Sequence, residues 1–192
     1  MLICSSALAQ NLFVSGGDAG GSKIFKFTWD GLQSTFASGL RQPQGLAFDS
    51  AGNLFVADYG SGVMGSIIYK FKPNGARSIF ASGLDSPVGL AFDSAGNLFV
   101  ADYDSGSIFE FKPNGARGTF ALGLAGPIGL AFDSAGNLFV ADYGSGVIGS
   151  IIYKFKPTGV GSTFFSGLAL NESFLFLAFQ PTSSTPDTGF AP

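Results

Sequence analysis

Fifteen residues, Gly-Leu-Ala-Phe-Asp-Ser-Ala-Gly-Asn-Leu-Phe-Val-Ala-Asp-Tyr, occur three times without a change, at Gly45–Tyr59, Gly89–Tyr103 and Gly129–Tyr143. The copies start 44 and 40 residues apart. That period is the length of one supersecondary unit that cannot bury its own faces and must stack on its neighbours. Each unit divides into four short apolar segments. In the second they are Gly89 to Phe92, Asn97 to Ala101, Ser107 to Phe111 and Gly118 to Ala121. Asp93-Ser94-Ala95-Gly96-Asn97 and Lys112-Pro113-Asn114-Gly115 lie between them as tight turns. Proline presets φ there, and glycine supplies the left-handed position.

The segments are apolar on both faces. Leu46 and Phe48 point opposite to Ala47, and Leu54 and Val56 opposite to Phe55 and Ala57. Strands with one wet face would alternate apolar with polar, so these are expected inside stacked sheets. The third segment is mixed, Tyr69 and Phe71 against Lys70 and Lys72, which suits a strand nearer the rim. The expected fold is all-β: a β-propeller of about four four-stranded antiparallel blades. The stretch Asn11–Val14 enters the pattern one segment late, and Phe176–Gln180 supplies a copy of the missing segment. The C-terminal strand is therefore expected to complete the N-terminal blade, which removes exposed sheet edges. The blades are 11–40 plus 174–180, 45–84, 89–124 and 129–168, within a propeller of residues 11–180.

The flanks read differently. Residues 1–10, MLICSSALAQ, combine an apolar run with Ala7-Leu8-Ala9, and are taken as the remnant of a secretory signal. The competing reading is a first strand beginning at Met1. The protein is accordingly expected to be secreted, extracellular or at the cell surface. Residues 181–192 are Pro-, Ser- and Thr-rich and are expected to form a flexible tail. Thr185–Gly189 resembles the start of a bacterial surface-sorting signal of the PEP-CTERM or VPDSG type, without the apolar helix and basic end that complete one. No run approaches the roughly 18 apolar residues of a transmembrane segment.

Charge and composition exclude several functions. A net charge of −3 argues against nucleic acid, whose phosphates need a basic patch. The sequence has no His, which removes the commonest general base and transition-metal ligand. Glu110 and Glu172 are its only glutamates: Glu110 lies in the mixed third segment and reads as solvated, Glu172 lies in the last connection, and nucleophile–base pairing has no candidate.

The motif Pro-x-Gly-Leu-Ala-Phe-Asp-Ser-Ala-Gly-Asn-Leu-Phe-Val-Ala-Asp resembles the NHL repeat. More broadly, residues 11–180 resemble the SMP-30/gluconolactonase-like (TolB-like) and virginiamycin-lyase-like propellers. Members of that group are usually six-bladed. Four blades' worth of chain leaves three arrangements open: a closed four-blade ring, an open arc that self-associates, or a fragment of a longer gene. The resemblance implies that the ends of the second strands open on one face. Asp58, Tyr59, Asp102, Tyr103, Asp142 and Tyr143 then gather there, with Asp104. Lys72, Arg77, Lys112, Arg117 and Lys156 fall towards the other face.

The Asp-Tyr set is the candidate ligand site. Carboxylates could bind Ca²⁺ or sugar hydroxyls, and tyrosines could stack on a sugar. The competing and favoured reading is that each Asp caps its own Gly-Ser-Gly loop through backbone N–H groups. Asp49, Asp93 and Asp133 read as turn residues, since one carboxylate per loop does not make a calcium site. The first blade has Gly16-Gly17 in place of Asp-Tyr, so any site is asymmetric. The expected function is a secreted, non-catalytic binding or scaffold module without a cofactor, for a protein or carbohydrate ligand. The alternative is a divergent SMP-30/gluconolactonase-like or lyase-type enzyme with a divalent metal on the propeller axis. The near-identity of the repeats favours the first, because catalysis needs differentiated residues.

Overall fold

The computed structural model describes residues 11–18, 21–60, 65–144, 150–168 and 177. Among these, every regular element is a β-strand. The first sheet holds β1 (Leu12–Asp18), β2 (Gly21–Phe27) and β3 (Gln33–Leu40). The second holds β4 (Pro43–Phe48), β5 (Leu54–Asp58), β6 (Ser66–Phe71) and β7 (Arg77–Leu84). The third holds β8 (Pro87–Phe92), β9 (Leu98–Asp102), β10 (Ser107–Phe111) and β11 (Arg117–Ala121). The fourth holds β12 (Pro127–Phe132), β13 (Leu138–Asp142), β14 (Ser150–Phe155) and β15 (Gly161–Leu168). Neighbouring strands are antiparallel and follow chain order, which is the meander of a propeller blade.

The invariant segment is a first strand, a hairpin and a second strand. Asp49 N–H donates to Asn53 O and Gly52 N–H to Asp49 O, both at 3.0 Å, with Gly52 at φ 78°. The Asp49 carboxylate accepts from Ala51 N–H at 3.0 Å and from both the backbone and side-chain nitrogens of Asn53 at 2.8 Å. Asp93 and Asp133 repeat the arrangement. Every residue of β5, β9 and β13 is buried, as a strand covered on both faces must be.

Phenylalanines join one sheet to the next. The Phe55 ring meets Phe80 of its own sheet at 4.9 Å and Phe92 of the following sheet at 5.0 Å, both edge to face. Phe99 repeats this with Phe120 and Phe132, both at 5.0 Å. Such edge-to-face pairs add to the area they bury, because the positive ring edge meets the negative ring face. At the centre the first strands lie so close that a Cβ on Gly45 would come within 2.1 Å of Val88 O, and one on Gly89 within 2.0 Å of Ile128 O. The glycine of Pro-x-Gly-Leu is therefore set by backbone approach.

Two junctions between sheets are built this way, and Phe13 and Phe48 meet edge to face at 5.1 Å across a third, between the first and second sheets. The fourth, between the last sheet and the first, is not formed among the described residues. Leu12 is 63% exposed, although its counterparts Leu54, Leu98 and Leu138 are at 1%, 0% and 1%. Phe164, the counterpart of Phe80 and Phe120, is 61% exposed. The strand expected at 174–180 lies outside the described residues apart from Leu177. That leucine lines a cavity of about 80 Å³ together with Leu46, Leu90 and Leu130, its counterparts in the repeat. Residues 1–10 and 181–192 also lie outside the described residues.

Candidate functional site

The second strands β5, β9 and β13 each end on an aspartate, and a tyrosine follows. Register decides what the aspartates do. Asp58 pairs with Pro43, Asp102 with Pro87 and Asp142 with Pro127. Proline has no N–H, so the strand ladder stops there. The N–H groups just upstream, in the connection entering the sheet, need another acceptor. Asp58 supplies it: its carboxylate accepts from Arg41 N–H at 3.0 and 3.1 Å and from Gln42 N–H at 2.7 Å. Asp102 accepts from Asp85 N–H at 2.9 Å and Ser86 N–H at 3.0 Å. Asp142 accepts from Ala125 N–H at 2.9 Å and Gly144 N–H at 3.1 Å.

These aspartates are 4%, 1% and 0% exposed. They are buried tethers of the backbone, a role beyond the capping of a Gly-Ser-Gly loop expected from the sequence; most of the loops after Asp58 and Asp142 lie outside the described residues. Among the described residues the Asp142–Gly144 bond has the capping form, whereas the bonds of Asp58 and Asp102 reach back 16 and 17 residues. Two or more N–H donors on each buried carboxylate hold the connection firmly. Burial, and after it the Asp142 carboxylate, push the Tyr153 hydroxyl above its ordinary pKa.

The tyrosines point elsewhere. Tyr59, Tyr103 and Tyr143, one from each full repeat, line a single pocket of about 370 Å³. Their backbone N–H groups are fixed by Gln42 O, Ser86 O and Gly126 O at 3.1, 2.8 and 2.9 Å. The Tyr103 ring lies over Gly126, where a Cβ would come within 2.8 Å of it. Asp104 is exposed and is not among the residues lining this pocket.

The remaining walls are Gln42, Gln44, Ser86, Val88 and Ile128. All five flank the prolines that open the sheets. They are also the places where the repeats stop being alike: Gln44, Val88 and Ile128 are three versions of one position, and Gln42, Ser86 and Gly126 of another. Sequence reasoning treated the repeats as interchangeable and missed these residues. The signal was present, since differences clustered beside an unchanging segment are informative. On the side of the first sheet, where Gly16 and Gly17 replace Asp-Tyr, Ser15 Oγ donates to Gln44 O at 2.9 Å. The walls are thus neutral: amides, hydroxyls, aromatic rings and two aliphatic side chains.

The other end of the strands is different in kind. Lys72, Lys112 and Lys156 are exposed in its hairpins. Arg77 and Arg117 open the fourth strands, and the Arg117 guanidinium stacks 3.7 Å from the Phe109 centroid while Nη1 donates to Gly83 O at 3.0 Å. Turn aspartates share this end with the basic side chains. Hydrogen bonds from the Asn137 side chain hold the Asp133 carboxyl below its usual pKa despite some desolvation, with Asn137 N–H, Ala135 N–H and Lys154 adding to the effect. Burial works against Asp49, but Asn53 and Lys70 outweigh it and also leave that carboxyl lowered.

The enzyme alternative needs a metal on the axis. Among the described residues no group of three His, Cys, Asp or Glu side chains could hold an ion. The aspartates nearest the pocket already spend their oxygens on backbone N–H groups. Among the same residues, no helix is long and apolar enough to cross a membrane.

With this geometry established, known proteins place the fold. Residues 84–111 match the NHL repeat. The fold is that of a β-propeller, and one of its repeats is similar to the NHL repeat. No curated protein matches it. Among solved structures it is similar to a streptogramin B lyase, with 17% identity and a TM-score of 0.66 over 82% of this chain and 52% of that one. A gluconolactonase from Xanthomonas campestris gives 18% identity and a TM-score of 0.64 over 79% and 58%. An auxiliary nutrient binding protein from Bacteroides thetaiotaomicron gives 9% and 0.63 over 80% and 38%. The chain thus spans between 38% and 58% of the length of these three structures. At these identities the likeness establishes the fold alone.

Proposed function

We propose that this propeller is a non-catalytic binding module that takes a neutral, hydroxyl-rich ligand, a carbohydrate, in the pocket of Tyr59, Tyr103 and Tyr143. The convergence of one tyrosine from each full repeat carries this reading. Tyrosine rings give flat stacking surfaces at low entropic cost, while Gln42, Gln44 and Ser86 give donors and acceptors that fix orientation. Asp58, Asp102 and Asp142 support the site by holding the connections from which those side chains project. The similarity to a nutrient binding propeller agrees with the reading. Residues 1–10 support secretion, and recovery of protein from culture medium with a new N-terminus near residue 11 would test that part.

A second reading is a catalytic propeller, favoured by the lyase and gluconolactonase among the solved structures it resembles. An axial metal would have to break the aspartate–backbone bonds to gain ligands, so we rank it second. The discriminating experiment is a glycan array and a lactone panel run on the same protein. Saturable glycan binding that Tyr103→Ala abolishes supports the binding module. Metal-dependent lactone turnover, with no glycan bound, favours the enzyme.

A further inference from the structure

At the hairpin end, two of the three full repeats build the same seat for an ammonium group. In the second sheet Lys70 pairs in register with Phe55. Its Nζ lies 5.0 Å from the Phe55 centroid and 3.5 Å from Asp49 Oδ2. In the fourth sheet Lys154 pairs with Phe139, and its Nζ lies 5.2 Å from that centroid and 3.8 Å from Asp133 Oδ2. In both, a cation rests between a ring face and a carboxylate.

The third sheet keeps the ring and the carboxylate and loses the cation. Phe99 and Asp93 are the counterparts of Phe55 and Asp49, and Asp93 makes the same hydrogen bonds to Ala95 and Asn97. The residue paired with Phe99 is Glu110. One exchange thus removes a positive charge and adds a negative one. Lys112 donates to Glu110 Oε1 at 2.6 Å, but it does not replace the missing lysine: its counterparts Lys72 and Lys156 stand beside the filled seats as well. Asp93, Phe99 and Glu110 now line a pocket of about 430 Å³, walled further by Ser94, Phe120 and Phe132.

We propose that this pocket binds a primary ammonium group from outside the chain. The ammonium sits where Lys70 and Lys154 place theirs, against Phe99 and Asp93, with Glu110 as an added acceptor. The chemistry is shared by a lysine side chain of a partner protein and by a free amine. The seat is at the opposite end of the strands from the tyrosine pocket and does not depend on what that pocket binds.

Three probes test it on the intact chain by NMR titration: n-butylamine, putrescine and Nα-acetyl-lysine amide. Each should shift the amide resonances of Phe99 and Glu110 saturably while leaving those of Phe55 and Phe139 in place. Added salt should weaken binding. Glu110→Lys, which restores a resident ammonium, should weaken it by about tenfold or more, the loss of a cation–π and ion-pair contact together. Lys70→Ser should open a second seat and bring the same shifts to Phe55. Tighter binding of the lysine derivative identifies a lysine-bearing partner as the source, and tighter binding of putrescine a free diamine. Absence of saturable shifts at Phe99, or shifts that survive Glu110→Lys, would overturn the proposal.

Discussion

The two ends of the strands use the repeated segment in opposite ways. At the hairpin end Asp49, Asp93 and Asp133 make one set of bonds three times over, and the residues around them are nearly the same in each copy. At the tyrosine end Asp58, Asp102 and Asp142 also do one job three times, but the connections they hold carry different side chains into a common pocket. The difference teaches where a near-identical repeat protein can specialise. A tether that bonds only backbone N–H groups places no demand on the side chains it holds, so Gln42 and Ser86 can differ at one position of the repeat without loosening the fold. A turn aspartate that bonds Asn53, Asn97 or Asn137 through the side chain fixes that residue as well.

The comparison can be broken most severely at the axis. Gly89→Ala puts a methyl group 2.0 Å from Ile128 O and should cost roughly 4 kcal/mol or prevent folding, as read by urea denaturation. Gly52→Ala at the hairpin end strains only a φ of 78° and should cost about 1 kcal/mol. Next come the aspartates. Asp102→Ala removes a carboxylate only 1% exposed that two backbone N–H groups depend on, and should lower stability by about 3 kcal/mol, against about 1 kcal/mol for Asp93→Ala, whose carboxylate is half-buried. Equal losses would contradict the distinction between buried tether and surface turn. Tyr103→Phe should change stability by under about 0.5 kcal/mol while weakening ligand binding, since it removes a hydroxyl and leaves the packed ring.

The smallest effect is one of pH. Asp133 is held below its usual pKa, so its contribution to stability is complete above the ordinary carboxylate range. That contribution is lost as pH falls through the lowered value. Asn137→Ala removes the main cause of the lowering. Its stability should therefore fall less steeply with acid than the parent's, in denaturation curves taken across the acid range.

Much of the fold was legible because it is local. Asp49-Ser50-Ala51-Gly52-Asn53 closes its turn within five residues, and the two-faced apolar pattern of Leu54–Ala57 declares burial by itself. The aspartate tethers were harder to read, because their partners lie 16 or 17 residues back and depend on which residue stands opposite Asp58. That Pro43 stands there follows from a pairing register with a shift between Pro43 and Leu46, which no sequence pattern announces. The fourth junction, not formed among the described residues, was also hidden. Leu12 and Phe164 match residues that are buried or half-buried in the other sheets, and only the placement of their sheets exposes them. The pocket was partly visible: its tyrosines were singled out, whereas Gln44, Val88 and Ile128 were passed over as variation.

The central claim is that the tyrosine end is the binding end. It is tested most directly by NMR mapping of a bound carbohydrate on the uniformly labelled protein. The account predicts shifts confined to Tyr59, Tyr103, Tyr143 and the adjoining Gln42, Gln44 and Ser86. Shifts centred instead on the hairpins of Asp49, Asp93 and Asp133, with the tyrosines unmoved, would contradict it.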